Sequence, residues 1–304
     1  MALTEVSAVP EPMKIQAAAK VNLTLHITGK RNDGLHLLES LVGFTSITDQ
    51  ITLTEASATS VTVFGPEAET LLNEKYNLAE RAADLAREQT KSLKGVRISL
   101  EKNIPVAAGM GGGSADAAAV LRGCLRMWGE TEIYDLNNRS LVELLGADIP
   151  ACRYGRAAWV SGVGELIKPA PQFPTLWMVL VNPRIPISTS AVFRSFAGRL
   201  RKAEFIDDAG PAWPISTSDF IDYLAERENS LSEVAMSIAP IISAVIQVLQ
   251  EAPHCLMARM TGTGPTCFGL FATEQKAKNA AQIIANAEPD WWVRPTLLLS
   301  SAST

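Results

Sequence analysis

The chain has little of what would staple it, anchor it or hold a metal. Its 304 residues include only four cysteines and three histidines. Cys124, Cys152, Cys255 and Cys267 are nowhere two to four residues apart, so no zinc-site spacing occurs. A chain this long can bury a large core without disulfides, and free thiols in a reducing, cytoplasmic compartment are the expectation. No apolar run reaches the ~18 uninterrupted residues of a bilayer-spanning helix, so no membrane association is expected. The opening MALTEVSAVPEPM carries acid and two prolines but no apolar stretch, unlike a secretory signal, and residues 1–12 read as a loose tail. Lysine and arginine form no block. The 27 of them are outnumbered by 32 acids, a net charge of -5, which argues against a broad nucleic-acid surface but leaves room for a local basic pocket.

What remains is a packed globular composition, 47% hydrophobic and 19% charged, long enough for two domains or one large one. From Val21 the pattern alternates: Val21, Leu23, Leu25 and Ile27 share one face, and Lys20, Asn22, Thr24 and His26 share the other. Asn32-Asp33-Gly34 is a turn signal. Short strands are predicted at Ile51–Leu53, Val61–Phe64 and Val96–Leu100, with a helix over Asn77–Glu88 between the last two. Later helices are predicted near Asn138–Leu144, Asp219–Arg227 and Leu231–Glu251, the last kinked or divided by Pro240, and at Glu274–Ala287. A hairpin is expected over 157–167, loop over Glu204–Thr217, and strands at Trp177–Val181, Cys267–Phe271 and Val293–Leu299. Pro169, Pro171 and Pro174 mark a boundary in composition. Strands and helices mix without βα alternation, which favours an α+β fold.

Residues 105–119 read PVAAGMGGGSADAAA. Glycines remove Cβ atoms and let successive N–H groups point into one concavity. The alanine-rich helix that follows, with Ala117, Leu121, Cys124, Leu125 and Trp128 on its apolar stripe, adds free N–H groups and the positive end of its dipole. Ser114 stands at its expected start and Asp116 in its expected first turn, both suited to unpaired N–H groups. Such a loop is built to hold phosphate. It is not a Walker A loop, since no G-x-x-x-x-G-K-[ST] occurs, and the dinucleotide fingerprint fails at Ser114. H-R-D and D-F-G are also missing. A tight turn capping a helix with no ligand is the alternative, but this density of glycine costs folding entropy that a plain cap does not require.

The loop resembles the phosphate motif of the small-molecule kinase superfamily that includes galactokinase, homoserine kinase and mevalonate kinase. Three further segments, AAKVNLTLHITGKRNDGLHL at 18–37, LGADIP at 145–150 and MTGTGPTCFGLF at 260–271, are similar to those of its 4-diphosphocytidyl-2-C-methyl-D-erythritol kinase family. The resemblance runs from about Lys14 to Thr296. It implies a two-domain small-molecule kinase fold, with a ribosomal-protein-S5-domain-2-like N-terminal domain over residues 1–170. A ferredoxin-like substrate-side domain would follow over 171–304, its last strand returning to the first domain. It also implies transfer of the γ-phosphate of ATP, carried as its Mg²⁺ complex, to the 2-hydroxyl of a diphosphocytidyl polyol, a step of non-mevalonate isoprenoid biosynthesis.

By the same resemblance Asp148 is the expected base and Lys20 its cationic partner. Pro105, Ala107, Ala108, Gly109, Met110, Gly111, Gly112, Gly113 and Ser114 would hold the phosphates, Ser114 near the Mg²⁺, and Asn77 would stand near the adenine. Asn77 equally suits a helix N-cap. No carboxylate cluster spells out a metal cage, which suits Mg²⁺ bound through phosphate and water. Asn22, Leu35, His36, Thr189, Phe193, Gly262 and Thr263 are the implied substrate contacts, with His36 reading the cytosine edge and Leu35 and Phe193 covering its faces. Leu35 departs from the family's usual tyrosine, and Ser230 departs from an Asn-Asp-Leu segment. His26 shares a strand face with Lys20 but is left outside the site, and His254 is read as structural. A monomer or weak homodimer is expected. Another kinase of the superfamily, or an inactive nucleotide-binding regulator, stays open as an alternative.

Overall fold

The computed structural model describes residues 11–71, 77–130, 137–203, 213–214 and 216–299. Most of the expected N-terminal tail and of the loop over 204–217 lies outside them.

Two strands, β1 (Met13–Asn22) and β2 (His26–Lys30), run antiparallel to one long strand, β3 (His36–Ala56). The alternation predicts a single strand through Ile27, but the chain breaks between Asn22 and His26. The break is tied down: Leu23 N–H donates to the Leu41 carbonyl at 2.8 Å, and Thr24 Oγ1 accepts from Leu41 N–H at 3.0 Å. Both faces of this segment are buried. Val21, Leu23, Leu25 and Ile27 enter the core, yet Lys20, Asn22, Thr24 and His26 are also no more than 5% exposed. A buried polar face must find partners, so it marks an interior site rather than a solvated surface.

The N-terminal half continues through β4 (Ser60–Phe64), α1 (Leu78–Thr90), β5 (Gly95–Glu101) and α2 (Gly112–Met127). Asn77 caps α1 by accepting from the Ala79 N–H at 2.9 Å. Ala79, Ala82, Ala83 and Ala86 of α1 share a core with the buried alanines of α2 and with Val96, Ile98 and Leu100 of β5. Then follow α3 (Asn138–Leu145), α4 (Ile149–Tyr154) and the hairpin β6 (Ala158–Gly162) with β7 (Leu166–Pro169). The C-terminal half comprises β8 (Leu176–Asn182), α5 (Thr189–Ser195), α6 (Thr217–Ala225), α7 (Ser232–Ile238) and α8 (Ile241–Glu251). It ends with β9 (Met257–Met260), β10 (Cys267–Phe271), α9 (Glu274–Ala287) and β11 (Trp292–Leu299). Pro240 divides the predicted long helix, and the axes of α7 and α8 differ by 120°. Among the described residues no single helix is long and apolar enough to cross a membrane.

The strands form one sheet, ordered β4-β5-β3-β11-β8-β10-β9, with β1, β2 and β6 also on β3. The register of β1 shifts where Ala18 faces Thr48 but Lys20 faces Phe44, so four residues of β3 span two of β1. Beside that irregularity, Leu298 and Leu299 of β11 pair with Thr45 and Phe44. The remainder of β11 pairs with β8, so one strand touches both halves of the sheet. His254 is an exposed residue in the left-handed region, φ 66°, where the chain turns between α8 and β9.

Helix α2 lies close to β1 and β3 because Gly123 has no side chain: a Cβ there would stand 2.4 Å from Ile15 Cδ1 and 2.4 Å from Leu53 Cδ1. We expect Gly123→Val to destabilise the protein by about 1–3 kcal/mol through overpacking. The check is a thermal or urea unfolding curve, in which an unchanged midpoint would show that α2 can retreat freely.

Candidate active site

Between the end of β5 and the start of α2 the backbone adopts a left-handed conformation three times, at Ala107 (φ 52°), Gly109 (φ 72°) and Gly111 (φ 62°). Glycine is required at two of them for different reasons. A Cβ on Gly109 would stand 2.6 Å from the Thr261 carbonyl oxygen and 2.9 Å from that of Gly264, so this loop rests on a turn of the C-terminal half. A Cβ on Gly111 would stand 3.1 Å from Lys20 Cε and 3.4 Å from Asp148 Oδ2. Gly112 is helical, and its Cβ would meet Ile104 Cγ2 at 3.2 Å.

The sequence reading of the helix start needs three corrections. Gly111, not Ser114, is the N-cap of α2, and no side chain caps it. The αL conformation of Gly111 starts the helix early and leaves Ser114 half-buried within its first turn. Asp116 does not serve free N–H groups; it is 3% exposed and ion-paired with Lys102. Met110 is absent from the cavity wall: its side chain is 1% exposed in the core, while its carbonyl accepts the backbone N–H of Lys20 at 3.0 Å.

The loop walls a cavity of about 470 Å³. Asn77, Pro105, Ala107, Ala108, Gly109, Gly111, Gly112, Gly113 and Ser114 line it. So do Asn22, Thr189, Phe193, Gly262 and Thr263, with Lys20 and Asp148 also on the wall. The structure therefore brings these predicted residues together from six separate stretches of chain. The first N–H groups of α2 and the positive end of its dipole open on the loop side, an arrangement suited to an anion.

Lys20 and Asp148 meet at 2.9 Å between Nζ and Oδ1. The lysine side chain is 4% exposed and the carboxylate 43%, so the pair sits at the boundary between protein and cavity. Lys20 Nζ also donates to Asn22 Oδ1 at 2.8 Å, and Asn22 Nδ2 donates to Ser40 Oγ at 2.7 Å. This chain of bonds fixes the ammonium from behind. Asp148 is delivered by Gly146, the C-cap of α3 with φ 122°, and stands at the N-cap position of α4 without capping it. Its carboxylate is thus turned toward Lys20 rather than spent on its own helix.

Also on the wall, Thr189 Oγ1 and Thr263 Oγ1 lie 3.1 Å apart. His36 stacks on Phe193, with ring centroids 5.4 Å apart and an interplanar angle of 30°, and meets Phe196 edge-on. Burial, with the positive charge of Lys30 second, holds the His36 pKa below the ordinary histidine value, so its ring is uncharged at neutral pH. Neither His36 nor Leu35 belongs to the cavity wall. Leu35 is half exposed, in a turn where its N–H donates to Asp33 Oδ1 at 3.2 Å, so the expected apolar cover of a base is not in place there. His26 points elsewhere, accepting from the Glu228 N–H at 3.3 Å. Ser230 Oγ accepts from the Ile27 N–H at 3.3 Å and serves the strand break.

Sequence reading missed the partners of several residues at and behind the wall. Lys102 and Asp116 line the cavity, and Lys102 is bonded to both Asp116 and Asp49. Burial, and the neighbouring Asp49 charge, push the Asp116 pKa up despite the opposing pull of Lys102. Thr261 Oγ1 accepts from the Asn22 N–H at 2.9 Å, and Asn229 Nδ2 donates to the carbonyls of Met260 and Gly262 at 3.0 and 2.8 Å. Lys102 offered a signal, a charged residue closing an alternating strand just before the loop. Asp49, Thr261 and Asn229 offered none, because their partners are remote in sequence.

The family model described as "GHMP kinases N terminal domain" matches residues 77–156, and "GHMP kinases C terminal" matches 218–290. Together they cover the glycine-rich loop and the stretch from α6 to α9. A 4-diphosphocytidyl-2-C-methyl-D-erythritol kinase of Paramagnetospirillum magneticum is 43% identical over 286 residues, covering 94% of this chain and 98% of that protein. The crystal structure of a 4-(cytidine 5'-diphospho)-2C-methyl-D-erythritol kinase superposes with a TM-score of 0.72 at 32% identity, covering 94% of this chain and 99% of that one. The L. major mevalonate kinase structure shares the fold, with a TM-score of 0.66 at 16% identity over 98% of this chain and 99% of that one.

The loop geometry predicts a graded series. Gly109→Ala meets backbone at 2.6 Å with a positive φ, whereas a Cβ on Gly113 meets nothing within 4 Å. Gly109→Ala is expected to weaken nucleotide binding about tenfold or more, as small misplacements of a binding group do. Gly113→Ala should bind nucleotide within about threefold of the parent, since its Cβ finds open space. Calorimetric titration with ATP compares the two, and equal affinities would dissociate the loop's shape from binding.

Proposed function

This chain belongs to the 4-diphosphocytidyl-2-C-methyl-D-erythritol kinase family of the GHMP kinases, an ATP-dependent enzyme of non-mevalonate isoprenoid biosynthesis, and we propose that Lys20 and Asp148 carry its chemistry. The observation that supports this most directly is their 2.9 Å ion pair on the wall of the cavity, beside Gly111 of the phosphate loop.

The acceptor is the 2-hydroxyl of the diphosphocytidyl polyol, a tertiary alcohol and a poor nucleophile. Its oxygen attacks the γ-phosphorus of ATP, the bond from that phosphorus to the bridging oxygen breaks, and ADP leaves with the electron pair. The hydroxyl proton passes to Asp148 as the new P–O bond forms. Lys20 holds the carboxylate in place through Oδ1, which leaves Oδ2 toward Gly111 as the oxygen turned to the loop. Its ammonium also offsets charge growing on the transferred group, and the Asn22–Ser40 bonds keep it from swinging away.

Phosphate charge is met mainly by N–H groups of the loop and of α2, because both lysines on the cavity wall already face carboxylates. That shortage of free cationic charge fits a divalent cation arriving with the nucleotide. Among the described residues no cluster of three or more His, Cys, Asp or Glu could cage one. Ser114 is the side-chain oxygen we assign to Mg²⁺, with phosphate oxygens and water completing its shell. Bound there, Mg²⁺ would neutralise phosphate charge. Asn77 lies at the adenine end, retaining its bond to the α1 N-terminus.

On the substrate side we assign His36 and Phe193 to the cytosine, with Thr189, Gly262 and Thr263 near the polyol phosphates. The stacked His36–Phe193 pair supports this, since a neutral imidazole both donates and accepts. Leu35 is placed at the outer edge of that region. We further propose residues 1–170 as the nucleotide domain and 171–304 as the substrate-side domain. The protein is taken to act in the cytoplasm as a monomer or weak homodimer, consistent with its four free thiols.

Asp148→Asn should lower kcat by about 10²–10⁴-fold with ATP affinity little changed, because it removes a proton acceptor but not a phosphate ligand. Steady-state kinetics with direct ATP titration checks this; near-parental kcat would remove Asp148 from the mechanism. A substrate panel including mevalonate and homoserine tests the family reading, which predicts turnover of the cytidine substrate alone. His36→Ala should raise the KM for that substrate and relax discrimination against a uridine analogue. In the parent enzyme the His36 pKa lies below the ordinary histidine value, because burial and then the Lys30 charge disfavour its cation. The substrate KM should therefore rise at a lower pH than an ordinary histidine would impose, and a rise centred at or above the ordinary value would contradict a neutral reader.

A further inference from the structure

Asp49 is a residue of β3, wholly buried and absent from the cavity wall, yet three groups that shape the wall converge on its carboxylate. Oδ2 accepts from Lys102 Nζ. Oδ1 accepts from the backbone N–H of Asn103 at 2.6 Å and of Ile104 at 2.9 Å. Lys102 Nζ in turn donates to Asp116 Oδ2 on α2 at 2.6 Å. One carboxylate thereby joins a central strand, the residues leading into the phosphate loop and the helix leaving it.

We infer that Asp49 is a positioning residue for nucleotide binding, holding the start of the phosphate loop and the first turns of α2 in register from behind the cavity. This rests on the reading that Pro105–Ser114 binds ATP.

The loop cannot hold itself. It leaves β5 with no ladder partner after Glu101, and adopts left-handed backbone at Ala107, Gly109 and Gly111 before α2 begins. Gly109 is braced at the far side by Thr261 and Gly264. Asp49 braces the near side, where Asn103 and Ile104 N–H groups would otherwise lie beside a core with no acceptor. Its charge matters as much as its shape. Lys102 is 2% exposed, and an ammonium so placed needs strong acceptors. Asp116 supplies one through Oδ2, and its carboxyl also stands against that of Asp49, so α2 is attached to the cluster through the lysine and through Asp49 itself. Removing Asp49 frees the loop entrance and shifts the lysine wholly onto α2. Asp49 touches neither Lys20 nor Asp148, so the chemistry and the polyol site should be spared.

The test is a kinetic comparison of Asp49→Ala, Asp49→Asn and the parent enzyme, with both KM values and kcat measured and folding followed by circular dichroism. ATP saturation of the parent, measured first, tests the underlying reading by itself. For Asp49→Ala the expected result is an ATP KM raised about tenfold or more, with kcat and the polyol KM within about threefold. Asparagine keeps an acceptor for the two backbone N–H groups, so Asp49→Asn should recover part of the ATP KM. An unchanged ATP KM in a folded variant overturns the inference, as does a parallel loss in kcat and both KM values. If Asp49→Ala does not fold, the same split in Asp49→Asn decides.

Discussion

A buried ammonium must be surrounded by acceptors, and Lys20 is the point at which this requirement organises the molecule. Its side chain is 4% exposed, on a strand whose opposite face is core. Its acceptors are Asn22 on the same strand and Asp148 from 128 residues later, and Ser40 holds Asn22 from behind by accepting from its Nδ2. Supplying them requires the α3–α4 turn at Gly146, the pairing of β1 with β3, and a glycine at 111 that leaves room for the lysine stem. The same bonds that satisfy the buried charge leave it, with its carboxylate partner, at the wall of a cavity.

The second constraint is steric. The phosphate loop and the turn after β9 approach backbone to backbone, with glycines on both sides: Gly109 against Thr261 and Gly264, and Gly262 against Gly109. Side chains of any size would separate them. Thr261 adds a hydroxyl that accepts from Asn22, so the turn is tied to the strand bearing Lys20 as well as to the loop. Asn229 uses both its N–H donors on the carbonyls of Met260 and Gly262 and accepts from the Leu231 N–H. The glycine-rich loop, the turn after β9 and the strand bearing Lys20 are thus aligned by a few short polar contacts, and phosphoryl transfer depends on such alignment more than on any one reactive group.

Two buried lysines divide the work on the cavity wall. Lys20 pairs with a carboxylate that is 43% exposed, whereas Lys102 pairs with two carboxylates that are almost wholly buried, one of them, Asp116, at the cavity wall. On our reading the first pair handles the proton, and the second ties the loop entrance and α2 to β3.

Local sequence decided much. The glycine density before an alanine-rich helix specified a tight turn with left-handed backbone, because those backbone angles and contacts exclude side chains. Alternation and capping residues placed most strands and helices, including the division at Pro240, because these depend on neighbours within a few residues. Tertiary structure decided the rest. Whether Lys20, Asn22 and His26 formed a solvated face or a buried one could not be read from alternation, since burial is set by what packs on the strand. The N-cap of α2 fell at Gly111 rather than Ser114 because Gly111 is left-handed beside Lys20. Met110 turned into the core and Leu35 stayed in solvent for similar reasons of surroundings. Asp49, Thr261 and Asn229 act on partners tens to hundreds of residues away, and a hydrogen bond between distant residues leaves no period, spacing or composition in a single chain.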